Sequence, residues 1–525
     1  MIKQRNSLCL IVVLLFLHAC GGGGNGNDSP VINPEPASWM KGVFKPASQF
    51  KQRCQLPRTG IDPATQRPFP DQQGTTLDEN NFLRSWSHDV YLWYREIEDK
   101  NPATFTSPQE YFKRLKTKAT TVTGRAKDRF HFIMPSLDVF KQLNSGISSG
   151  YGMKLSFRSF AVPRQIFVAY VEPGSPADSA GLSRGSRLLS VDGIDVVNSL
   201  NNSELDKVVE ALFPGNHGEK HQFRFADYLL TSSKTVIMVS DAISTQPIRH
   251  TKVIETQNGK VGYVQFNSHI FPAVNPMIAS FKQFKQQGVT ELVLDIRYNG
   301  GGLLDIANGL SYMIAGPQAT QDKTFERVQF NDKHPTINPF TGKPIEKGGF
   351  ITSVSPTQPL PTLNLSRVFV LTTADTCSAS EAIINGLRGI DVEVIQIGET
   401  TCGKPYGFYG TDNCGTTYFS INFKGVNDKG FGDYTDGFSP ANTIGAPGFV
   451  IPGCSVPDDF SHPLGDVNEG LLATALGYRV NGRCPTVSGR QQRRANKPAV
   501  VMDVVDYLQE KLQQKNTLLD NRIAR

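Results

Sequence analysis

A run of apolar strand segments, each followed by a helical segment, most strongly limits how residues 251–400 can fold. The segments VGYVQF, ELVLDI, RVFVLTT and VEVIQIG are almost continuously apolar, and amphipathic or glycine-closed helical segments separate them. Strands without a polar face are buried on both sides, as in a sheet that helices cover above and below. The sequence therefore predicts an α/β core domain over residues 246–486.

Two smaller modules precede this core in a multidomain α/β chain. Residues 77–145 place aromatic side chains at three- and four-residue steps, as in SHDVYLWYREI, which predicts a small helical module. Ser107 or Thr106 is the predicted cap of its second helix, with Pro108 in the first turn. Residues 146–245 change to β-branched and aromatic runs between Gly and Pro turns, which predicts a β-rich domain.

The segment SPADSAGLSRGSRLLSVDGIDV of this β-rich domain resembles the helix–glycine–strand part of a PDZ domain. The resemblance implies a carboxylate-binding loop formed by Gly150, Tyr151, Gly152 and Met153, and a groove helix over residues 204–213. Successive backbone N–H groups of a glycine-rich turn can hold a terminal carboxylate, and an open strand edge can accept an extended peptide. A PDZ fold that serves only for packing is the alternative.

Residues 1–19 resemble a bacterial lipoprotein signal peptide. Basic residues precede an apolar run that is too short to span a bilayer and that closes on LHAC. The resemblance implies lipid on Cys20 and, because Gly21 follows it, an outer-membrane anchor that faces the periplasm. A plain secretory peptide or a short anchor is the alternative.

Residues 20–76 are predicted to be a tether and an N-terminal segment, and residues 487–525 a basic helical tail. The net charge is +6 over 525 residues, and no run concentrates it before the tail. Nucleic acid is therefore not an expected partner. The sequence contains no HExxH and no GxxxxGK[ST] motif, so we predict no metal and no cofactor.

Export would place the chain in an oxidising compartment, where disulfides form. Beyond Cys9 in the signal region and Cys20, the cysteines are Cys54, Cys377, Cys402, Cys414, Cys454 and Cys484. Sequence alone cannot choose among their pairings. Short separation favours Cys402 with Cys414 and Cys454 with Cys484. A zinc site is the alternative, although no pair has C-x-x-C spacing.

Three loops that follow predicted core strands contain the residue types needed for catalysis. LDIRYNGGG ends in glycines whose N–H groups can face a ligand, CSASE places Ser378 at a helix start, and GETTCGK contains Lys404. In α/β sheets the carboxyl ends of the strands are where sites form. A serine needs a base, and no histidine is near these loops in sequence. A lysine whose pKa is lowered by burial is therefore the predicted base.

With these motifs in this order, residues 78–480 resemble the carboxyl-terminal processing (tail-specific) proteases, lipoprotein subset. The resemblance implies Ser378 as nucleophile, Lys404 as general base, and backbone oxyanion donors at Gly301, Gly302 and Ala379. It also implies a serine endopeptidase that cleaves exported proteins or peptides near their C-termini. The PDZ domain would bind the free C-terminus of the polypeptide substrate.

Two positions depart from the family pattern. Phe408 stands four residues after the lysine, where the family often has an orienting Gln, and Asp391 or Glu399 is a candidate for that role. Cys377 precedes the nucleophile where the family often has Ala, and it can pair with Cys402 or with a more distant cysteine. The alternative functions are a lipid-anchored PDZ scaffold with an inactive core and a hydrolase of small acyl substrates.

Overall fold

The computed structural model describes residues 39–485 and, in the tail, residues 504–505, 507–509, 511–512 and 522–523. The predicted signal peptide, Cys20 and residues 21–38 of the tether lie outside the described residues. In the part of the chain that is described, no helix combines the length and the apolar character required to cross a bilayer.

The N-terminal module is mainly helical, as predicted. Thr75 begins α1 with a reciprocal cap: its hydroxyl accepts the Asp78 N–H at 3.1 Å, and the Asp78 carboxylate accepts the Thr75 N–H at 3.0 Å. Ser107 caps α2, as predicted. The aromatic face of α1 packs on Tyr111 and Phe112 of α2. The helices are α1 (Thr76–Val90), α2 (Pro108–Phe112) and α3 (Ser136–Ser145), with 3-10 turns at Ala47–Gln49, Tyr94–Glu96 and Pro102–Thr104.

Short strands accompany these helices. They are β1 (Arg53–Cys54), β2 (Ile61–Asp62), β3 (Arg67–Pro68), β4 (Gln72–Gln73) and β5 (Phe132–Pro135). β5 pairs antiparallel with a strand of the core domain at Thr416–Phe419, so the module is joined to the core through main-chain hydrogen bonds.

The second domain is an antiparallel sheet with two helices. Its elements are β6 (Ile147–Gly150), β7 (Met153–Ser159), β8 (Gln165–Val171), α4 (Pro176–Ser179), β9 (Arg187–Val191), β10 (Ile194–Asp195), α5 (Asn202–Leu212), β11 (Lys220–Ala226), β12 (Ser233–Val239) and β13 (Asp241–Ser244). The described strand order is β12–β11–β9–β8–β7, so β7 is an edge strand. The apolar face of α5 packs with Phe157 of β7, which leaves the groove between them that a PDZ fold uses for peptides.

The core domain contains the predicted, mostly parallel sheet. Its described order is β14–β15–β16–β21–β22–β29, with β14 antiparallel to β15 and every other neighbour parallel. Alternate residues enter different clusters: Leu292 and Leu294 face the side that α6, α7 and α8 cover, whereas Val293 faces α9. The prediction that both faces are covered is confirmed.

The core elements in chain order alternate as the sequence predicts. They are β14 (Ile248–Thr256), β15 (Gly259–Phe266), a 3-10 turn (Phe271–Ala273), α6 (Val274–Gln286), β16 (Glu291–Asp295), β17 (Gly302–Leu303), α7 (Leu304–Thr320, broken at Gly316), β18 (Arg327–Gln329), β19 (Ser353–Ser355), β20 (Gln358–Pro359), β21 (Arg367–Thr372), α8 (Ala379–Gly389), β22 (Glu393–Gly398), β23 (Tyr406–Gly407), β24 (Thr411–Asn413), β25 (Thr416–Phe419), β26 (Phe423–Val426), β27 (Phe438–Pro440), β28 (Phe449–Ile451), β29 (Gly453–Ser455) and α9 (Gly470–Asn481).

The described tail residues 504–505, 507–509 and 511–512 are helical, and Arg522–Ile523 forms the short strand β30. Below, these described residues, 504–505, 507–509, 511–512 and 522–523, are together called the tail segment.

The disulfides correct one pairing and confirm another. Cys454 is bonded to Cys484 as predicted, but Cys402 is bonded to Cys377, and Cys414 is bonded to Cys54. The Cys402–Cys414 prediction is wrong because it used separation along the chain. Cys414 lies in the β24–β25 turn, beside the N-terminal module. All six described cysteines are paired, so none supplies the thiolate that the alternative zinc site would require.

Candidate active site

Hydrogen bonds join the glycine loop (residues 296–302) after β16 to the serine loop (residues 373–378) after β21. The Asn299 carbonyl accepts the Cys377 N–H at 3.1 Å and the Ser380 hydroxyl at 2.8 Å. The Thr376 hydroxyl donates to the Ile296 carbonyl at 2.9 Å. Two of the three predicted loops therefore meet at the carboxyl edge of the sheet.

Glu381, in the first turn of α8, joins the serine loop to the lysine loop (residues 399–404). One carboxylate oxygen accepts the N–H groups of Ser378 at 2.9 Å and Lys404 at 2.8 Å. The other accepts the Gly403 N–H at 2.8 Å and the Thr401 hydroxyl at 2.5 Å. Four donors surround one fully buried carboxylate, so its charge is satisfied without solvent.

Glu381 is not among the residues for which the sequence predicts a role. The signal that could have identified it is its place three residues after the helix cap, where a carboxylate commonly accepts a main-chain N–H. Its bonds to the lysine loop, which lies more than twenty residues further along the chain, have no local signal. The Cys377–Cys402 disulfide joins the same two loops covalently.

Ser378 is the N-cap residue of α8 and is completely buried. Its backbone has φ 61° and ψ −110°, in the positive-φ region that residues with a side chain rarely adopt. Such a conformation costs on the order of 1–3 kcal/mol and persists because the surroundings enforce it. A serine on a strained strand-to-helix turn has its hydroxyl at the helix N-terminus, where the dipole favours negative charge.

Lys404 is also completely buried, and its amine lies between two aromatic rings. The Nζ atom is 4.6 Å from the Phe130 ring centroid and 4.2 Å from that of Phe408. Phe408, which stands where the family often has an orienting Gln, thus packs its ring directly against the amine.

The two carboxylates considered as the partner of the lysine have other cations beside them. Asp391 pairs with Lys429 at the surface, where the Asp391 side chain is 78% exposed. Glu399 pairs with Arg158 of β7. The carboxylate that holds the lysine loop is Glu381, and it does so through the main chain.

Two consecutive positions of the glycine loop, Gly301 with φ 122° and Gly302, have a positive φ that favours glycine. Gly302 has φ 128°, and a Cβ added there would lie 2.4 Å from the His269 carbonyl oxygen. The Gly301 N–H donates to Asn299 Oδ1 at 3.0 Å. Of the two predicted donors in this loop, Gly301 therefore already has an acceptor inside the loop.

His269 lies against the glycine loop, although the sequence analysis found no histidine near it. The ring Nδ1 is 3.0 Å from Asn299 Oδ1 and 3.1 Å from the Gly301 carbonyl. Burial lowers the pKa of His269 to about 4, so the ring is neutral at pH 7 and its Nδ1–H donates. The available signal was position: His269 follows β15, which ends at the same sheet edge.

A buried ionic cluster fixes the other end of the glycine loop. The Arg297 guanidinium donates to Asp295 at 3.0 Å, Asp458 at 2.8 Å and Glu469 at 2.7 Å. Arg184 of the PDZ-like domain also donates to Asp458, at 2.8 Å. The cluster thereby connects the glycine loop to the second domain.

The predicted carboxylate-binding loop lies between β6 and β7. The Tyr151 carbonyl accepts the Ala177 N–H at 2.9 Å, and the Gly152 carbonyl accepts the Glu172 N–H at 2.7 Å. Gly152 has φ 75°, and a Cβ there would lie 2.2 Å from the Ser175 side chain. These two hydrogen bonds from loop carbonyls hold the loop against the start of α4.

β7, which follows this loop, contacts both the serine loop and the lysine loop. Lys154 lies 3.9 Å from Asp375 of the serine loop, and Arg158 pairs with Glu399 of the lysine loop. The edge strand of the PDZ-like domain and the candidate catalytic residues are thus linked by ion pairs.

Three family models match the chain in order. The Peptidase S41 N-terminal domain matches residues 78–131, a PDZ domain matches residues 167–225, and Peptidase family S41 matches residues 260–407. The last range contains the glycine loop, Ser378, Glu381 and Lys404. Residues 260–407 of this chain are therefore similar to Peptidase family S41.

Curated proteins similar to this chain include a Carboxyl-terminal-processing protease from Picosynechococcus sp., 26% identical over 50% of this chain and 56% of that protein. A C-terminal processing peptidase, chloroplastic, from Tetradesmus obliquus is 25% identical over 46% of this chain and 55% of that protein. The chain thus spans a little over half the length of these curated relatives. A solved structure of a Putative S41 protease from Bacteroides fragilis is 25% identical, with a TM-score of 0.53, and covers 76% of this chain and 97% of that one.

Proposed function

We propose that this protein is an S41 serine endopeptidase of the carboxyl-terminal processing type, with Ser378 as nucleophile and Lys404 as general base. The observation that carries the proposal is the Glu381 carboxylate, which binds the N–H groups of Ser378 and Lys404 at once. It fixes the two loops relative to each other inside a buried site. A buried hydroxyl and a buried amine on loops so tied are what a Ser–Lys dyad requires.

The proposed reaction begins with Lys404 as a neutral amine, because complete burial disfavours the charged form. The amine accepts the Ser378 proton as Oγ attacks the scissile carbonyl. The lysine then gives that proton to the departing amine, leaving an acyl-enzyme, and water repeats the sequence to release the acid. Negative charge on the carbonyl oxygen is stabilised by the N–H groups of Gly302 and Ala379, each worth roughly 3–4 kcal/mol.

Gly301, a predicted oxyanion donor, has a different role in this proposal. Its N–H is bonded to Asn299, so it orders the loop and presents the next residue. His269 supports the same loop conformation, because its N–H donates to the Gly301 carbonyl and its carbonyl accepts the Leu303 N–H.

The substrate proposed is an exported polypeptide with a free C-terminus, held by the loop Gly150–Met153 and the groove between α5 and β7. A matching PDZ domain and the edge position of β7 support it. Three disulfides indicate an oxidising compartment outside the cytoplasm. We further propose that Cys20 is lipidated and anchors the chain to the cell envelope, in the outer membrane facing the periplasm.

A PDZ scaffold with an inactive core is the second candidate. The Phe408 ring favours it, because an aromatic face 4.2 Å from the amine also stabilises a charged lysine.

The experiment that tests the proposal compares a peptide that has a free, apolar C-terminus with its amidated twin. The full chain is expected to cleave the free form at least tenfold faster, and Ser378→Ala is expected to bind but not cleave it. Binding without cleavage by the full chain would favour the scaffold. If the chain neither binds nor cleaves either peptide, the result would favour a hydrolase of small acyl substrates.

A further inference from the structure

Arg522–Ile523 lies in the proposed peptidase cleft as an added strand. β30 pairs in parallel with β17, with Gly302 opposite Arg522 and Leu303 opposite Ile523. Ile523 also forms a parallel bridge with Phe408. The tail segment therefore joins the glycine loop to the stretch that follows Lys404, where an extended substrate would have to pass between these groups.

The Ile523 side chain fills an apolar site in that cleft. Ile523 is 6% exposed and belongs to the same buried cluster as Leu303 and Phe408. Main-chain pairing combined with one side-chain pocket is the usual means of binding an extended peptide at a sheet edge.

The helical part of the tail segment packs against the groove of the PDZ domain. Val504, Leu508 and Leu512 recur at four-residue steps, which places them on one helix face. That face forms one buried cluster with α5 of the PDZ domain, and aromatic residues in and beside β7 adjoin it. The partners are Leu205, Val209, Phe157, Phe160 and Phe213.

Polar contacts fix the position of this helix along α5. The Tyr507 hydroxyl lies 2.7 Å from both carboxylate oxygens of Asp206. Lys511 Nζ lies 3.1 Å from the same carboxylate. Asp206 is on α5 between the apolar partners Leu205 and Val209. The apolar and the polar contacts are therefore made with the same position of the tail helix along α5.

We propose that the tail segment is an internal ligand of this peptidase that occupies both of its peptide sites at once. The helix covers the groove between α5 and β7, and Arg522–Ile523 takes the place of a substrate strand beside Gly302. An incoming polypeptide must displace the tail segment, and the Ile523 site selects an aliphatic residue in that polypeptide. This inference rests on the function proposed above.

The test uses the full chain with Ile523→Asp, and with Ile523→Val as the matched control. A charged side chain cannot occupy the apolar site, so Ile523→Asp is expected to raise kcat/KM for the free peptide at least tenfold, mainly through a lower KM. Ile523→Val is expected to behave as the unmodified chain. Leu508→Asp, with Leu508→Met as control, tests the helix contact and is expected to change KM in the same direction.

Peptide binding gives a readout that does not require hydrolysis. A fluorescent peptide with the sequence of residues 513–525 is added to chains that also carry Ser378→Ala. It is expected to bind the Ile523→Asp chain at least tenfold more tightly than the chain with Ile523. Equal binding to both, with equal KM, would overturn the inference. Tighter binding without hydrolysis by any chain would support the inference and contradict the proposed function.

Discussion

At the scale of single residues, the site depends on a carboxylate outside the proposed dyad. Glu381 has no chemical step in the proposed reaction, yet its oxygens accept main-chain N–H groups from both sides of the cleft. It is a positioning residue. Because both oxygens are buried, a side chain that lacks either of them leaves buried donors without an acceptor.

Glu381→Gln is therefore expected to lower kcat by about 10²–10³ with little change in KM. The amide nitrogen that replaces one oxygen faces two of the donors that the carboxylate accepted, which shifts the relative position of serine and lysine. Steady-state kinetics with a thermal melt of each chain would check this. A loss confined to the melting temperature, with normal kcat in the folded protein, would contradict the positioning role.

At the scale of elements, local patterns predicted most of the helices and strands, and they did not predict the contacts between them. The apolar runs identified the core strands, and Ser107 identified the start of α2. Four contacts join segments that are distant in sequence. They are the contact of His269 with the glycine loop, the hydrogen bonds from the lysine loop to Glu381, the Cys54–Cys414 disulfide and the β17–β30 pairing. Such contacts depend on how complete elements dock, which no local period encodes.

Two disulfides close loops of similar length and so allow a matched comparison. Cys377–Cys402 spans 25 residues and joins the serine and lysine loops, whereas Cys454–Cys484 spans 30 residues and lies behind the sheet with α9. Loop closure predicts a loss of roughly 3 kcal/mol for removal of either.

Replacing Cys377 and Cys402 by serine is expected to lower both stability and kcat. Replacing Cys454 and Cys484 by serine is expected to lower stability by a similar amount while the folded protein keeps its kcat. Urea unfolding and kinetics at low urea would separate the effects. Equal losses of kcat in the two double variants would contradict a specific role for the disulfide at the site.

At the scale of the whole molecule, two buried histidines link stability to pH. Burial lowers the pKa of His131 and of His269 to about 4, from 6.5. Between these values the unfolded chain binds protons that the folded chain does not, so protons favour unfolding. The stability that the neutral rings contribute is complete above pH 6.5 and is lost as pH falls toward 4.

The melting temperature is accordingly expected to fall as the pH is lowered from 6.5 to 4. Each histidine lowers the free energy of unfolding by up to roughly 1.4 kcal/mol per pH unit in this range. His131→Gln should reduce that slope, and His217→Asn, at an exposed position, should not. Thermal melts across this range provide the measurement. An unchanged slope in His131→Gln would show that other groups govern the acid sensitivity.

The tail segment contacts two domains of the molecule, through α5 of the second domain and through β17 of the core domain. Lys154 and Arg158 connect β7 of the second domain to the serine loop and the lysine loop. In the inference proposed above, release of the tail segment exposes the groove and the cleft together.

The proposed reaction depends on activation of Ser378 by Lys404. It can be tested by the rate at which a fluorophosphonate probe labels the chain as pH is raised, with the labelled residue identified by peptide mass mapping. Labelling is expected on Ser378, rising with pH through an apparent pKa well below the value of about 10.4 for free lysine, and it is expected to be lost in Lys404→Met. A label on another residue, or undiminished labelling of Ser378 in Lys404→Met, would rule out this activation.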